Sequence, residues 1–154
     1  MYNIIKILAF EEGKKLSVYK CTKGFLTVGI GHNLDADPVL DILHRKLKLH
    51  DTITEEECNK LFQIDLEKVS KSINRNIPWF NILPEKYKIV IINMVFQLGI
   101  NGTLKFKNTL QAIKENNPDK VITGMKASQW YKQTPNRVNR LIKIVQELPV
   151  PEYN

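Results

Sequence analysis

Cysteine is nearly missing from this chain: there are two in 154 residues, Cys21 and Cys58. Two thiols cannot build a disulfide framework, and their spacing fits no metal motif. One bridge is the most they allow, and free thiols are the default in a reducing compartment. Histidine is scarce as well, and His32, His44 and His50 stand in no zinc-binding pattern. No apolar run approaches the roughly 20 residues of a membrane helix. The N-terminal apolar stripe (Ile4, Ile5, Ile7, Leu8, Phe10) is short and runs directly into Glu11, Glu12 and Gly13. It lacks the basic start and small-residue cleavage site of a signal peptide, so it reads as a first core helix made without export. Internal repeats and low-complexity segments are absent too, which sets aside solenoids and arrays.

What is there is an ordinary globular composition, 43% hydrophobic and 25% charged. That is enough to bury a core in one domain or in two small lobes. Lys and Arg number 23 against 16 Asp and Glu, a net charge of +7. The basic residues are dispersed along the chain. Such a field suits a polyanionic partner, whether nucleic acid, anionic lipid or a bacterial wall, and charge alone does not choose among them or against a merely basic surface.

Patterning divides the chain. Residues 2–12 read as a helix. From 16 to 34, Leu16, Val18, Phe25, Thr27, Val28 and Ile30 alternate with Gly24, Gly29 and Gly31, which predicts a small antiparallel sheet with tight turns. Pro38 should open a short helix carrying Val39, Leu40, Ile42 and Leu43. Thr54 followed by Glu57 fits a capping box, and the acidic run 55–57 suits a helix N-terminus. The helix behind it carries Phe62, Leu66, Val69 and Ile73 at 3.6-residue spacing over about 20 residues, some 30 Å. Cys58 is expected on an exposed turn of it. Pro84 opens a segment apolar around most of its circumference, expected to be a buried central helix capped by Gly99. Shorter helices near 106–115 and 119–127 and a last one after Pro135 complete the chain, with the tail from 149 to 154 expected to fray.

The chemistry-bearing stretch runs from Glu11-Glu12-Gly13 to Gly29-Ile30-Gly31-His32. Glu12 is followed after eight residues by Cys21 and, after five more, by Thr27. With Tyr19-Lys20 and Thr27-Val28-Gly29-Ile30-Gly31-His32 around them, these residues resemble the signature of the phage lysozymes typified by the T-even bacteriophage enzyme (glycoside hydrolase family 24). The resemblance continues through Leu61-Phe62 and Asp65, then Ile92-Asn93-Met94-Val95-Phe96-Gln97 with Gly99. It ends at Trp130-Tyr131-Lys132-Gln133-Thr134-Pro135-Asn136-Arg137. It therefore covers residues 4 to about 140 in consistent order.

The resemblance implies an α+β, lysozyme-like two-lobed fold forming one domain over 1–154. A sheet lobe at about 13–53 would be joined by a helix at about 54–74 to a helical lobe at about 75–147, which also takes in the N-terminal helix 2–12, with the cleft between lobes. It implies an endolysin that hydrolyses the β-1,4 bond between N-acetylmuramic acid and N-acetylglucosamine in bacterial peptidoglycan, lysing the host cell. The partner would be peptidoglycan, with no nucleic acid, no stable membrane insertion, no cofactor and no metal, and the protein a monomer. It would accumulate in the host cytoplasm and reach the wall through a host-membrane pore.

Glycosidic cleavage needs an acid to protonate the departing oxygen and a group on the opposite ring face to deliver water. By resemblance Glu12 is the acid, and Cys21 and Thr27 ready the water. Many relatives carry aspartate where this chain has Cys21. A thiol of pKa about 8.5 is only a few per cent thiolate at neutral pH; Lys20 and Lys23 nearby could lower that value, and a spectator role for Cys21 stays open. The family is regarded as inverting, which favours water activation over a thioglycosyl intermediate. Arg137 would pair with the catalytic glutamate, and His32 would pair structurally with Asp65. Asn93, Phe96, Gln97 and Thr109 would line the substrate cleft, although a plain core role for Phe96 is equally open. Position 33 is Asn where the T-even enzyme has a cleft leucine, and position 124 is Gly where it has asparagine. The rival readings are an inactive wall-binding protein of the same fold, a lytic transglycosylase, and a basic nucleic-acid binder.

Overall fold

Thr54 and Glu57 satisfy each other at the start of the longest helix. The Glu57 amide donates to Thr54 Oγ1 at 3.0 Å, and the Thr54 amide donates to Glu57 Oε1 at 3.0 Å. This reciprocal cap removes two of the donors that a helix N-terminus leaves open, worth about 1 kcal/mol. The helix it starts, α3, runs Glu55–Asn76 in a computed structural model that describes residues 2–154. The remaining helices are α1 (Ile4–Glu12), α2 (Leu40–Leu43), α4 (Glu85–Leu104), α5 (Lys107–Lys114), α6 (Pro118–Lys126), α7 (Gln129–Gln133) and α8 (Pro135–Val145). Single 3₁₀ turns occupy Phe80–Ile82 and Pro151–Tyr153. With one small antiparallel sheet among the helices, the fold is the α+β, lysozyme-like type.

The chain divides into two compact units, one of Ile5–Lys68 and the other of Met1–Ile4 with Val69–Asn154. In the first, β1 (Lys15–Lys20), β2 (Leu26–Gly29) and β3 (His32–Asn33) form a sheet in the order β1-β2-β3. Tyr19 lies opposite Thr27, and Val28 lies opposite His32. The register slips between Lys15 and Tyr19, which bends β1. An isolated bridge between Ser17 and Thr52 pins the segment leading to α3 onto β1. Gly29 is the point of closest packing: a Cβ there would lie 3.3 Å from Cys58 Sγ and 3.7 Å from Ile53 Cδ1. Cys58 is thus fully buried, not on an exposed turn as its sequence context suggested. A free thiol behaves as a small apolar group, and here it fills the space under the β2–β3 turn.

In the second unit, α4 packs on α8 and α5 on α6. Tyr87, Val90, Ile91 and Met94 of α4 are buried, as are Val138, Leu141 and Ile144 of α8. Gly99 does break the helical path, with φ 76° and ψ 168°, but helix resumes beyond it to Leu104. The Thr103 hydroxyl donates to the Gly99 carbonyl at 2.8 Å, so a single residue interrupts α4 without ending it.

Two other local expectations need correction, and one helix was not foreseen. Pro38 does not open α2. Asp37 Oδ1 accepts the Val39 amide at 3.0 Å, Val39 sits in the left-handed region at φ 47°, and helix begins only at Leu40. The tail does not fray: Val150 and Tyr153 are buried, and Pro151–Tyr153 forms a 3₁₀ turn. The short helix α7, capped by Ser128 Oγ accepting the Tyr131 amide, had no hydrophobic period to announce it.

Candidate active site

Glu12 is the last residue of α1 and is half-buried. The chain turns away from it at Gly13, whose amide still bonds the Ala9 carbonyl at 3.0 Å. The β2–β3 turn then comes back against the carboxylate. Gly31 adopts φ +67°, and a Cβ at that position would lie 3.0 Å from Glu12 Oε2 and 3.1 Å from Glu12 Cβ. Only hydrogen fits there without displacing the glutamate. Glycine at 31 is therefore required twice, by its backbone angle and by the side chain it faces.

Cys21 follows β1 and opens a turn closed by two backbone bonds, Cys21 N to Phe25 O at 2.9 Å and Gly24 N to Cys21 O at 2.8 Å. Its thiol is partly exposed. The pKa of that thiol is lowered, first by the Phe25 amide and then, against a small burial effect, by the Lys23 amide, the Thr27 hydroxyl and the Gly24 amide. The lysine charges that the sequence offered as the cause are not what acts; the turn's own dipoles are. Thr27 is buried on β2, and its hydroxyl donates to Phe25 O at 3.0 Å.

Tyr19 lies opposite Thr27 in the sheet, a neighbour that the sequence did not single out. Its phenol pKa is raised by burial first, then by the negative charges of Cys21 and Glu12. Lys15 covers the ring, its Nζ 4.3 Å from the centroid. The register slip in β1 between Lys15 and Tyr19 would have been the signal, and it leaves no trace in composition.

His32 and Asp65 form the expected pair, Nδ1 to Oδ2 at 2.8 Å, while Nε2 reaches the Asp37 carbonyl at 2.8 Å. Burial pulls the imidazole pKa down, but the Asp65 hydrogen bond and charge, with the Asp37 carbonyl and carboxylate, outweigh it and the net shift is upward. Asp37 is itself held by Lys68 at 2.7 Å. Asn33 accepts the amides of Asp35 at 2.9 Å and Ala36 at 3.1 Å. Its side chain holds the turn.

The remaining residues belong to the second unit. Asn93, expected as a substrate contact, is instead fully buried. Its Nδ2 donates to the Ile89 carbonyl at 2.9 Å, and its Oδ1 accepts Arg137 Nη2 at 3.0 Å. Its amide is taken up in orienting Arg137, which is also buried. Gln97 accepts from Trp130 Nε1 at 2.8 Å and donates to the Thr134 hydroxyl at 3.3 Å, and Phe96 is half-buried. Thr109 is buried against Gly124; a Cβ at 124 would collide with its hydroxyl. The absence of a side chain at Gly124 is what leaves room for Thr109. Among the described residues, no group of three or more His, Cys, Asp or Glu converges as a metal site would require.

A half-buried carboxyl, a thiol with lowered pKa and a buried hydroxyl in the same unit form a set able to donate a proton and to polarise a water. Known proteins resemble the chain over most of its length. The phage lysozyme sequence family matches residues 9–144. The chain is 37% identical to "Probable T4-type lysozyme 1" of Dictyostelium discoideum, covering 94% of each protein. It is 30% identical to "Pre-baseplate central spike protein Gp5" of Enterobacteria phage T4, over 93% of this chain and 27% of that one. It is 29% identical to "Peptidoglycan hydrolase gp36" of Pseudomonas phage phiKMV, over 93% of this chain and 15% of that one. The chain belongs to the phage lysozyme family and is a glycoside hydrolase.

Proposed function

We propose that this enzyme hydrolyses the β-1,4 bond between N-acetylmuramic acid and N-acetylglucosamine in bacterial peptidoglycan. The observation that carries the reading is the close approach of the β2–β3 turn to Glu12 in the unit that also holds Cys21 and Thr27. The similarity to proteins named lysozyme and peptidoglycan hydrolase supports the substrate class.

Glu12, protonated, donates to the glycosidic oxygen as the C–O bond lengthens. A water held by the Thr27 hydroxyl and the Cys21 sulfur adds to the anomeric carbon from the opposite face. Its proton passes to the Cys21 thiolate, and the leaving sugar departs as an alcohol. Water addition on the far face gives an inverted hemiacetal and no covalent enzyme intermediate. The lowered thiol pKa raises the thiolate fraction available to accept that proton. The +7 charge draws the protein to a wall rich in carboxylates and phosphates. In the cell it would act as a monomeric endolysin, accumulating in the host cytoplasm and passing through a host-membrane pore to lyse the cell from within.

Loss of turbidity of outer-membrane-permeabilised bacteria tests the activity, and mass spectrometry of released muropeptides tests the reaction. A reducing end heavier by one water than the anhydro product marks hydrolysis; an anhydro end marks a transglycosylase. One observation favours a second reading: Cys21 stands where many relatives carry aspartate. No clearing, together with binding to purified sacculi, would make the protein a wall binder that has lost catalysis.

A further inference from the structure

Ile82, at the end of the 3₁₀ turn between α3 and α4, is 86% exposed. No other large apolar side chain among the described residues exceeds 50%. Trp79 and Phe80 beside it are half-buried, and a lysine stands by each ring. Lys114 Nζ is 5.8 Å from the Trp79 centroid, and Lys88 Nζ is 5.9 Å from the Phe80 centroid. We propose that this turn is a membrane-surface anchor. It seats Ile82 and the two rings among the headgroups of an anionic phospholipid bilayer, with Lys88 and Lys114 on the phosphates. The inference goes beyond the peptidoglycan reading and does not depend on it.

The turn holds Ile82 outward by its own backbone. Ile77 is buried at its start. The Phe80 amide donates to the Ile77 carbonyl at 3.0 Å, and the Leu83 amide donates to the Phe80 carbonyl at 3.1 Å. Pro78 and Pro84 restrict the chain on either side. An apolar side chain presented by an ordered turn loses little freedom when it meets a partner. The charge around it has one sign. Residues 69–84 carry Lys71 and Arg75 and no acid. Glu85 and Glu115, the acids nearest Lys88 and Lys114 in sequence, are turned to other groups. Glu85 Oε1 accepts the Tyr2 amide at 3.3 Å, and Glu115 Oε1 accepts Gln111 Nε2 at 3.0 Å.

An apolar tip flanked by cations fits a partner that offers hydrocarbon and phosphate a few ångströms apart. A bilayer interface has that order. Aromatic rings settle at headgroup level, and the apolar face of a surface-bound segment reaches about 5–10 Å into the acyl boundary. The 5.8 and 5.9 Å between ammonium and ring fall on that scale. A glycan strand or an acidic polymer would satisfy the lysines and leave Ile82 in water. The contact is adsorption, because the segment 77–84 is far too short to cross a hydrocarbon core of roughly 30 Å.

The test is co-sedimentation of the full chain with vesicles at physiological salt. One set contains about one-third phosphatidylglycerol in phosphatidylcholine, and the other is phosphatidylcholine alone. Trp79 is the reporter, because Trp130 is buried with its Nε1 bonded to Gln97. Anionic vesicles should bind the protein and shift its tryptophan emission to the blue. Neutral vesicles should bind it at least about fivefold more weakly. Ile82→Asp should weaken anionic binding at least about tenfold, and Lys114→Gln about fivefold. Thermal melts of these variants should match wild type, since both side chains are exposed. Lys46→Gln/Lys48→Gln, which removes two exposed charges in the other unit, should change affinity less than about twofold. The proposal is overturned by no binding to anionic vesicles, by binding without an emission shift, or by equal binding to neutral vesicles. Wild-type affinity in Ile82→Asp, or an equal loss in the Lys46/Lys48 variant, overturns it too. Self-association that Ile82→Asp abolishes, without vesicle binding, would assign the turn to a second copy and also overturn it. Purified sacculi contain no lipid, so muropeptide release from them reports the hydrolase reading separately. Release without vesicle binding defeats the anchor alone, and vesicle binding without release defeats catalysis alone.

Discussion

Gly31 is packed so closely on Glu12 that a β-carbon at 31 would stand 3.0 Å from Glu12 Oε2. Gly24 makes an informative contrast, because its φ is +85° yet a Cβ there would meet nothing within 4 Å. Alanine at either position carries left-handed backbone strain of roughly 1 kcal/mol. Only alanine at 31 also pushes the carboxyl out of place. We expect Gly31→Ala to lower kcat by at least about tenfold, since misplacing a reacting group by a fraction of an ångström is costly. Gly24→Ala should keep kcat while losing similar stability. Steady-state kinetics and thermal melts of the two variants check this, and equal activities would contradict it.

Cys21 is the accessible thiol and Cys58 is fully buried with its pKa raised, chiefly by burial. Iodoacetamide acting on the folded protein should therefore add one carbamidomethyl group, at Cys21, and abolish clearing in parallel. Cys21→Asp should stay active because an ionised carboxylate can take the water's proton, whereas Cys21→Ala should lose most activity. Peptide mapping and turbidity assays decide the matter; full activity after complete modification of Cys21 would remove it from the mechanism.

The His32–Asp65 pair sets a pH dependence of stability. The folded-state pKa of His32 lies above its ordinary value. Its stabilising contribution is complete below the unfolded pKa, about 6.5, and is lost as pH rises through the folded value. Wild type should therefore lose stability on going from pH 6 to pH 9, and Asp65→Asn should flatten that slope. Urea unfolding across this range measures it. A wild-type slope unchanged in the variant would contradict the assignment.

At the acid end the group to follow is Glu57. Arg45 bonds it through both nitrogens, at 2.8 and 3.0 Å, and the Thr54 amide and hydroxyl add to this; the pKa is lowered to about 2. The depressed value means stability present above the unfolded pKa of about 4.5 and lost as pH falls toward 2. Because the pair is partly exposed, screening limits its worth, and Glu57→Gln, which keeps an oxygen to accept the Thr54 amide, should cost about 1 kcal/mol or less at neutral pH. It should also remove that part of the acid transition. Circular dichroism melts from pH 2 to 7 read both effects.

The legible parts of the fold were those written in neighbouring residues. The Thr54–Glu57 cap, the strand alternation around Val28 and the apolar circumference of α4 depend on spacings of four residues or fewer. What escaped depends on distant partners. Cys58 was misread as exposed because its burial is set by Gly29 and Ile53, not by its helix. Gly99 looked like a terminator because the Thr103 hydroxyl that lets the chain resume helix has no signature. Val39, Tyr153 and α7 are held by tertiary packing or single side-chain bonds. At the candidate site, residue types came through, but their causes did not. The effect on the Cys21 thiol comes from turn amides, Asn93 is committed to Arg137, and the closeness of Gly31 to Glu12 appears only when the β2–β3 turn folds back.

Glu12→Gln is the most direct test of proton donation. The substitution preserves shape and removes the acid. The account predicts that the variant melts within a few degrees of wild type, still binds sacculi, and releases no muropeptides above background. Substantial muropeptide release by a folded Glu12→Gln protein would contradict it.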